Sequence, residues 1–196
     1  MKIDPKNLGA NEAHHLFISA VTPRPIAWVS TVNKQGINNL APFSMYTLLS
    51  TVPAVVGFGI GGGLKKETIR NIEATKEFVV NTVTEELAEA MNLTWAPYPP
   101  SEFDRAGLTP VRSEKIAPPR VGQSPLCLEC RVLQILKYGD EPAINSFVIG
   151  EVLMVHINDE LWHDGALDSS RLKTIGKTGG DPNLYCRSTD TFILKR

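Results

Sequence analysis

The chain has 196 residues, enough for a single domain that buries about 70% of its extended surface without disulfide or metal support. Hydrophobic residues make up 42% and charged residues 21%, the balance of an ordinary globule. A count of 20 Lys and Arg against 21 Asp and Glu leaves a net charge of −1. That excludes a broad phosphate-neutralising surface for nucleic acid, but not one small anion held by a few local cations.

Taken in chain order, the first eleven residues have no apolar stretch, so no signal peptide is expected. Asn11 to Ser19 reads as a short helix with Asn11 as its N-cap and Glu12 in the first turn. Thr22-Pro23-Arg24-Pro25 stops it. Ile26 to Val32 is β-branched and aromatic, Asn33-Lys34-Gln35-Gly36 signals a turn, and Ile37 to Tyr46 follows as a second strand of an antiparallel hairpin. A third apolar run, Ala54 to Ile60, ends in Gly61-Gly62-Gly63. From Gln35 to Leu64 no residue is charged, but Pro42, Pro53, two asparagines and the glycines break the stretch into strands rather than a membrane span. Such strands line an interior, a subunit interface or a ligand site.

Helices are expected at Glu67 to Thr75, with Ile69 and Ile72 on one face, and at Glu85 to Leu93, capped by Thr84. Phe78 to Val83 between them is a strand. Residues 95–124 are proline-rich and aperiodic, a long loop that covers something or carries function. Cys127 to Leu136 and Phe147 to Ile157 read as strands, Thr178 to Asn183 as loop, and Thr191 to Leu194 as a last short strand. About seven strands cluster without regular strand–helix alternation. The expected fold is therefore mainly β, an antiparallel barrel with two or three short helices, in one domain over residues 1–196.

The motifs of hydrolases, zinc proteases and nucleotide-phosphate loops are absent. The four histidines have no metal-ligand spacing. Cys127 and Cys130 match CxxC only formally, since i and i+3 on a strand point to opposite faces. Three sparse cysteines suit a reduced cytosol better than a disulfide framework, so a cytoplasmic location is expected. No metal ligand, activated nucleophile or acid–base pair is assigned. A reaction, if there is one, belongs to a bound cofactor.

Three polar segments border the uncharged block. Trp28-Val29-Ser30-Thr31 ends a strand in two hydroxyls. Asn38-Asn39-Leu40-Ala41-Pro42-Phe43-Ser44 offers amides, a hydroxyl and a proline. Lys65-Lys66-Glu67-Thr68 places cations and a hydroxyl at a helix start, where free N–H groups and the helix dipole hold phosphate. Together they suit a ligand with a planar ring and a phosphate tail. Each also has a purely structural reading: strand ends, a hairpin flank, a solvated helix start, a core tryptophan, and Arg24 as a surface residue in a turn.

The runs PRPIAWVST (23–31), NNLAPFSMY (38–46), KET (66–68) with Arg70-Asn71-Ile72, and EFVVN (77–81) resemble the flavin reductase-like family, which includes the flavoredoxins. The likeness extends to Gly150-Glu151-Val152 with His156, and to Gly179-Gly180 and Tyr185. It implies an FMN-binding split β-barrel and a homodimer with one FMN per barrel near the subunit interface. It implies FMN contacts at Trp28, Val29, Ser30, Thr31, Asn39, Leu40, Ala41, Ser44, Met45, Tyr46, Lys66 and Thr68, with Arg24 as a further candidate. Glu67 stands where the family commonly has aspartate, and Gly176-Lys177-Thr178 precedes the double glycine where an arginine is common. The implied activity is an NAD(P)H-dependent flavin reductase that supplies reduced FMN to a monooxygenase or another acceptor. The alternatives are a flavoredoxin-type electron carrier reduced by a protein partner, and a flavin-binding module without catalysis.

Overall fold

The computed structural model describes residues 1–62, 66–140, 144–181 and 183–195. Gly63 of the glycine run, Leu64 at the end of the uncharged stretch and Lys65 of the polar helix-start segment lie outside the described residues. In chain order come α1 (Ala10–Ala20), β1 (Arg24–Pro25), β2 (Ala27–Val32), β3 (Asn38–Phe43), β4 (Met45–Thr51), β5 (Ala54–Ile60), α2 (Glu67–Thr75) and β6 (Glu77–Asn81). Then follow α3 (Ala88–Leu93), α4 (Glu102–Arg105), β7 (Pro110–Val111), β8 (Arg120–Val121), β9 (Leu126–Tyr138) and β10 (Asn145–Ile157). The chain finishes with β11 (Trp162–His163), β12 (Ala166–Leu167), α5 (Ser169–Leu172), β13 (Ile175–Lys177) and β14 (Tyr185–Arg187).

Seven strands form one antiparallel sheet in the order β3-β2-β6-β9-β10-β5-β4. Its two outermost strands, β3 and β4, are consecutive in the chain and joined by Ser44 alone. A sheet whose edges share one linking residue has to roll up, so the fold is a split β-barrel, closed at the Ser44 corner. The expected strand Ile37 to Tyr46 is for this reason two strands broken at Ser44. The β2–β3 turn forms as expected: the Asn33 carboxamide oxygen accepts from the Gln35 and Ile37 N–H groups at 2.9 Å each, and Gly36 takes φ 82°.

The barrel interior packs Val29, Phe43, Val56, Phe58, Phe78 and Val148 against Ile69 and Ile72 of α2. Phe58 links the other two phenyl rings, with centroids 5.4 Å from Phe43 and 5.3 Å from Phe78. The outer side of β2 is covered by a second core, Trp28 and Leu40 with Val83, Met91, Phe103 and Val121. Strand β2 is thus buried on both faces.

Several local expectations need correction. The first helix is capped at Gly9, not Asn11, because the Glu12 carboxylate reaches back to the Gly9 N–H at 3.0 Å. The helix expected over Glu85 to Leu93 begins as a 3-10 turn at Glu85–Leu87, and Thr84 makes no side-chain cap bond. Thr191 to Leu194 forms no strand. Phe192, Ile193 and Leu194 are exposed, and the last pairing is β13–β14.

The long loop does cover something. Strands β7 and β8 and helix α4 lie within it, and buried polar groups clamp it to the sheet. Glu129 on β9, wholly buried, accepts from the Glu114 and Lys115 N–H groups at 2.8 and 2.7 Å and pairs with His156 Nε2 at 2.6 Å. Glu77 accepts from the Ala117 N–H, Asn81 from the Val121 N–H, and Ser30 donates to the Pro119 carbonyl. A segment poor in regular structure is thereby supplied with partners for its backbone.

Candidate functional site

The site grows from the way α2 is docked. Asn39 Nδ2 donates to Thr31 Oγ1 at 3.2 Å and to Thr68 Oγ1 at 3.0 Å, and Asn71 Nδ2 donates to Thr31 Oγ1 at 3.0 Å. All four side chains are buried. Two β2–β3 residues and two residues three apart on one face of α2 thus make one polar knot, which sets the helix start beside β3. Lys66 is the N-cap residue, and no side chain caps the helix. Among the described residues no side chain bonds the first-turn N–H groups of this nine-residue helix, and a cation flanks them, the arrangement that holds an anion. Lys66 Nζ lies 6.0 Å from the Phe43 ring centroid, and partial desolvation holds its pKa below the usual lysine value.

Strand β3 leads from that helix start to the Ser44 corner. Its N–H and C=O groups alternate between β2 and the open side. The Leu40 N–H bonds Glu102 Oε2 at 3.0 Å, so Leu40 faces outward, and its carbonyl does too. Pro42, two residues on, occupies the next outward position, where a missing N–H costs no ladder bond. Leu40 is wholly buried under α4 on that side, so the partly exposed stretch of the edge is the one at Pro42 and Ser44.

At the corner Arg24 is 7% exposed. Its guanidinium donates to the carbonyls of Ile18, Val21 and Thr178, and its Nε lies 3.5 Å from Ser44 Oγ. It ties the end of α1, the corner and the hairpin β13–β14 together. Beside it opens a cavity of about 520 Å³, whose walls include Pro42, Ser44, Trp95, Lys177 and Tyr185. Among the described residues no helix is long and apolar enough to cross a membrane.

The expected contacts divide into three groups. Thr31, Asn39 and Thr68 form the knot. Lys66, Ser44 and Met45 border open space, Met45 lying over Gly59 on the outer face of the sheet. Val29, Ala41 and Tyr46 turn their side chains into the barrel, and Trp28, Ser30 and Leu40 turn theirs to the other side of the sheet, under the second core and the long loop. Trp28 is wholly buried, with its indole N–H donating to Thr94 Oγ1 at 2.9 Å. Ser30 is held by Asn81 and Pro119, and Tyr46 packs on the barrel core, where burial pushes its phenol up to about 12. The two CxxC thiols do lie in different clusters, Cys127 with Val79 and Ile116, Cys130 in the barrel interior. Burial pushes Cys127 up to about 11 and Cys130 further, so neither is a thiolate at neutral pH.

Sequence reasoning missed Asn71, Glu102 and Glu129. Asn71 lay inside a quoted motif without a role. Glu129 had one signal, a charge on the strand face it shares with Cys127. Glu102 had none.

Residues 19–174 match the family model described as flavin reductase like domain. An uncharacterised protein of Halalkalibacterium halodurans is 40% identical, the alignment covering 100% of this chain and 96% of that protein. Among solved structures, nitrilotriacetate monooxygenase component B from Bacillus cereus superposes with a TM-score of 0.92 at 30% identity, covering 99% of this chain and 98% of that one. The 2-nitrobenzoate 2-nitroreductase of Pseudomonas fluorescens superposes with a TM-score of 0.90 at 30% identity, covering 100% and 96%.

Proposed function

The chain belongs to the flavin reductase-like family, a family of flavin-dependent oxidoreductases, and from that premise we propose that it is an FMN-binding, NAD(P)H-dependent flavin reductase. The observation that carries the reading is the uncapped start of α2 with Lys66, set by the buried Asn39–Thr31–Thr68–Asn71 knot at one end of the open β3 edge. The residues suit a flavin. Lys66 and the Glu67 and Thr68 N–H groups bind the phosphate by charge-assisted hydrogen bonds. The outward carbonyl of Pro42, with Ser44 and Met45, borders the ring, and Leu40, wholly buried under α4, backs that edge. Trp28, Val29, Ser30, Ala41 and Tyr46 support that edge from the two sides of the sheet, and Arg24 holds the corner.

Bound FMN supplies hydride acceptance and the release of one or two electrons. The protein contributes binding, orientation and exclusion of water. Burial keeps Tyr46 and both CxxC thiols protonated at neutral pH, so none of these three acts as a base. The working form proposed is a homodimer. The outer face of the sheet carries the row Met45–Gly59–Phe147–Leu136, apolar throughout and in register across β4, β5, β10 and β9. A second copy gives that row a partner. Nitrilotriacetate monooxygenase component B is by name one part of a monooxygenase. By analogy, the reduced flavin formed here passes to a monooxygenase or another acceptor.

Titration with FMN, followed by flavin absorbance and fluorescence, is expected to saturate at one flavin per chain. Anaerobic mixing of the loaded protein with NADH and NADPH is expected to bleach the flavin with at least one of them. Failure with both refutes the reductase reading and leaves an electron carrier reduced by a protein partner. Light scattering is expected to give twice the chain mass.

A further inference from the structure

We propose that a cavity lined by Leu87, Leu161 and Leu172 is the docking site of the chain's own residues 192–195, which close over it as a strap. This cavity lies apart from the Ser44 corner and shares no lining residue with the cavity there.

The strap is identified by its exposure and its root. Phe192, Ile193 and Leu194 are 83%, 90% and 77% exposed, three consecutive apolar side chains left in water. Water favours their removal to an apolar surface. The segment is rooted at the wall of the cavity. Arg187, at the end of β14, sets its Nε 2.8 Å from each carboxylate oxygen of Glu85, a lining residue. The Ser188 N–H donates to the Thr174 carbonyl at 2.9 Å, one residue beyond Lys173, which also lines the cavity. The four residues from Ser188 to Phe192 span up to roughly 14 Å. The apolar triplet can therefore fold back over the opening with β14 undisturbed.

The receptor matches it in polarity and charge. The cavity, about 470 Å³ in volume, lies between the 3-10 turns Glu85–Leu87 and Asp159–Leu161 and α5. Leu161 is buried in it, and Leu87, Pro125 and Leu172 are half-buried beside it, so apolar side chains meet apolar neighbours there. Glu85 pairs with Arg187, and Arg171 with Asp168 at 3.4 Å. Glu86 and Glu160 make no side-chain hydrogen bond or ion pair among the described residues. Counting the paired groups, the carboxylates of Glu85, Glu86, Glu160 and Asp168 outnumber the cations Arg171, Lys173 and Arg187. Residues 188–196 carry the opposite excess, Lys195 and Arg196 against Asp190. Both cations follow the triplet directly, so seating the triplet on Leu161 brings them to the acidic rim. Exposed ion pairs of this kind set register, and the buried triplet supplies the affinity. The tether favours the chain's own segment over a second copy's, since a short linker acts like a ligand at a concentration on the order of millimolar.

Disulfide trapping in the full chain tests the closure. In a Cys186→Ser background, Lys195→Cys is combined with Glu86→Cys or Glu160→Cys on the rim, and with Lys34→Cys as a reference outside the cavity. Mild oxidation is expected to give a bond within one chain for at least one rim position, in about tenfold higher yield than the reference. A labelled peptide of sequence Thr-Phe-Ile-Leu-Lys-Arg supplies a second readout. Fluorescence anisotropy is expected to show saturable binding to a chain truncated after Asp190, which keeps β14 whole. Binding to the full chain is expected to be at least about tenfold weaker, because the tethered segment occupies the cavity first. A bond between two chains, seen as twice the chain mass on a denaturing gel, overturns closure within the chain in favour of exchange with a second copy. No bond above the reference, no saturable peptide binding, or equal peptide affinity for the full and truncated chains overturns the proposal.

Discussion

Thr31→Val isolates the knot that docks α2. Thr31 is wholly buried, and valine keeps its branched shape, so the change removes a hydrogen-bond acceptor with little change in volume. Two amide donors lose a partner, Asn39 Nδ2 at 3.2 Å and Asn71 Nδ2 at 3.0 Å, though Asn39 keeps Thr68. Each buried donor left unsatisfied costs about 1–3 kcal/mol. The added methyl returns about 0.8 kcal/mol. The expected net loss is therefore about 1–5 kcal/mol, or roughly 2–20 °C in Tm for a chain of this length. Urea unfolding followed by circular dichroism, at one protein concentration, measures it, with an unchanged slope showing that the compactness of both states is kept. Because the knot sets the helix start, FMN affinity is expected to fall by several-fold as well. A loss below about 0.5 kcal/mol would show that α2 is held by Ile69 and Ile72 alone and would refute the argument.

Lys66→Ala is expected to raise the Kd for FMN by about 10- to 100-fold through loss of a charge-assisted contact, with Lys66→Arg retaining most of the affinity. Desolvation lowers the Lys66 pKa, so FMN binding in wild type weakens as pH rises through a value below 10.5, and fluorescence titration across alkaline pH shows this step lost in Lys66→Ala. Burial by itself raises the Glu129 carboxyl, but hydrogen bonds from the Glu114 and Lys115 amides and His156 outweigh it and hold it below 4.5. Its stabilisation is therefore complete above the unfolded value and is lost as pH falls through the lower folded one. Glu129→Gln is expected to cost about 2–4 kcal/mol at neutral pH and to flatten the acid limb of a Tm-against-pH series. In Gly150→Ala the new Cβ falls 2.6 Å from Phe78 Cζ and 3.1 Å from the Arg131 carbonyl, so an overpacking loss of about 1–3 kcal/mol is expected in the urea midpoint.

What the chain settles locally was legible. Ala54–Ile60 and Glu67–Thr75 lie where hydrophobic period and proline and glycine punctuation put them, because those signals act over a few residues. The Asn33–Gly36 turn is local in the same way, one carboxamide serving two nearby N–H groups. The Lys66–Thr68 helix start was likewise visible as a cation and a hydroxyl before an amphipathic run.

The remainder depends on which distant groups meet. Neither Pro42 nor the asparagines of Ile37 to Tyr46 mark where the strand ends; Ser44 divides the stretch because both ends of one rolled sheet meet there. Glu102 and Glu129 belong to a residue type usually at the surface, yet both are buried, since only the folded loop brings backbone N–H groups to them. Arg24 read as a turn residue until the end of α1 and Thr178, 154 positions away, supplied its acceptors. Thr191 to Leu194 has the composition of a strand and no neighbour to pair with. Propensity and period are properties of neighbours in sequence and so determined the elements. Hydrogen-bond partners and charge compensation are properties of neighbours in space, so only the tertiary structure decided the corner, the clamps and the knot around the candidate site.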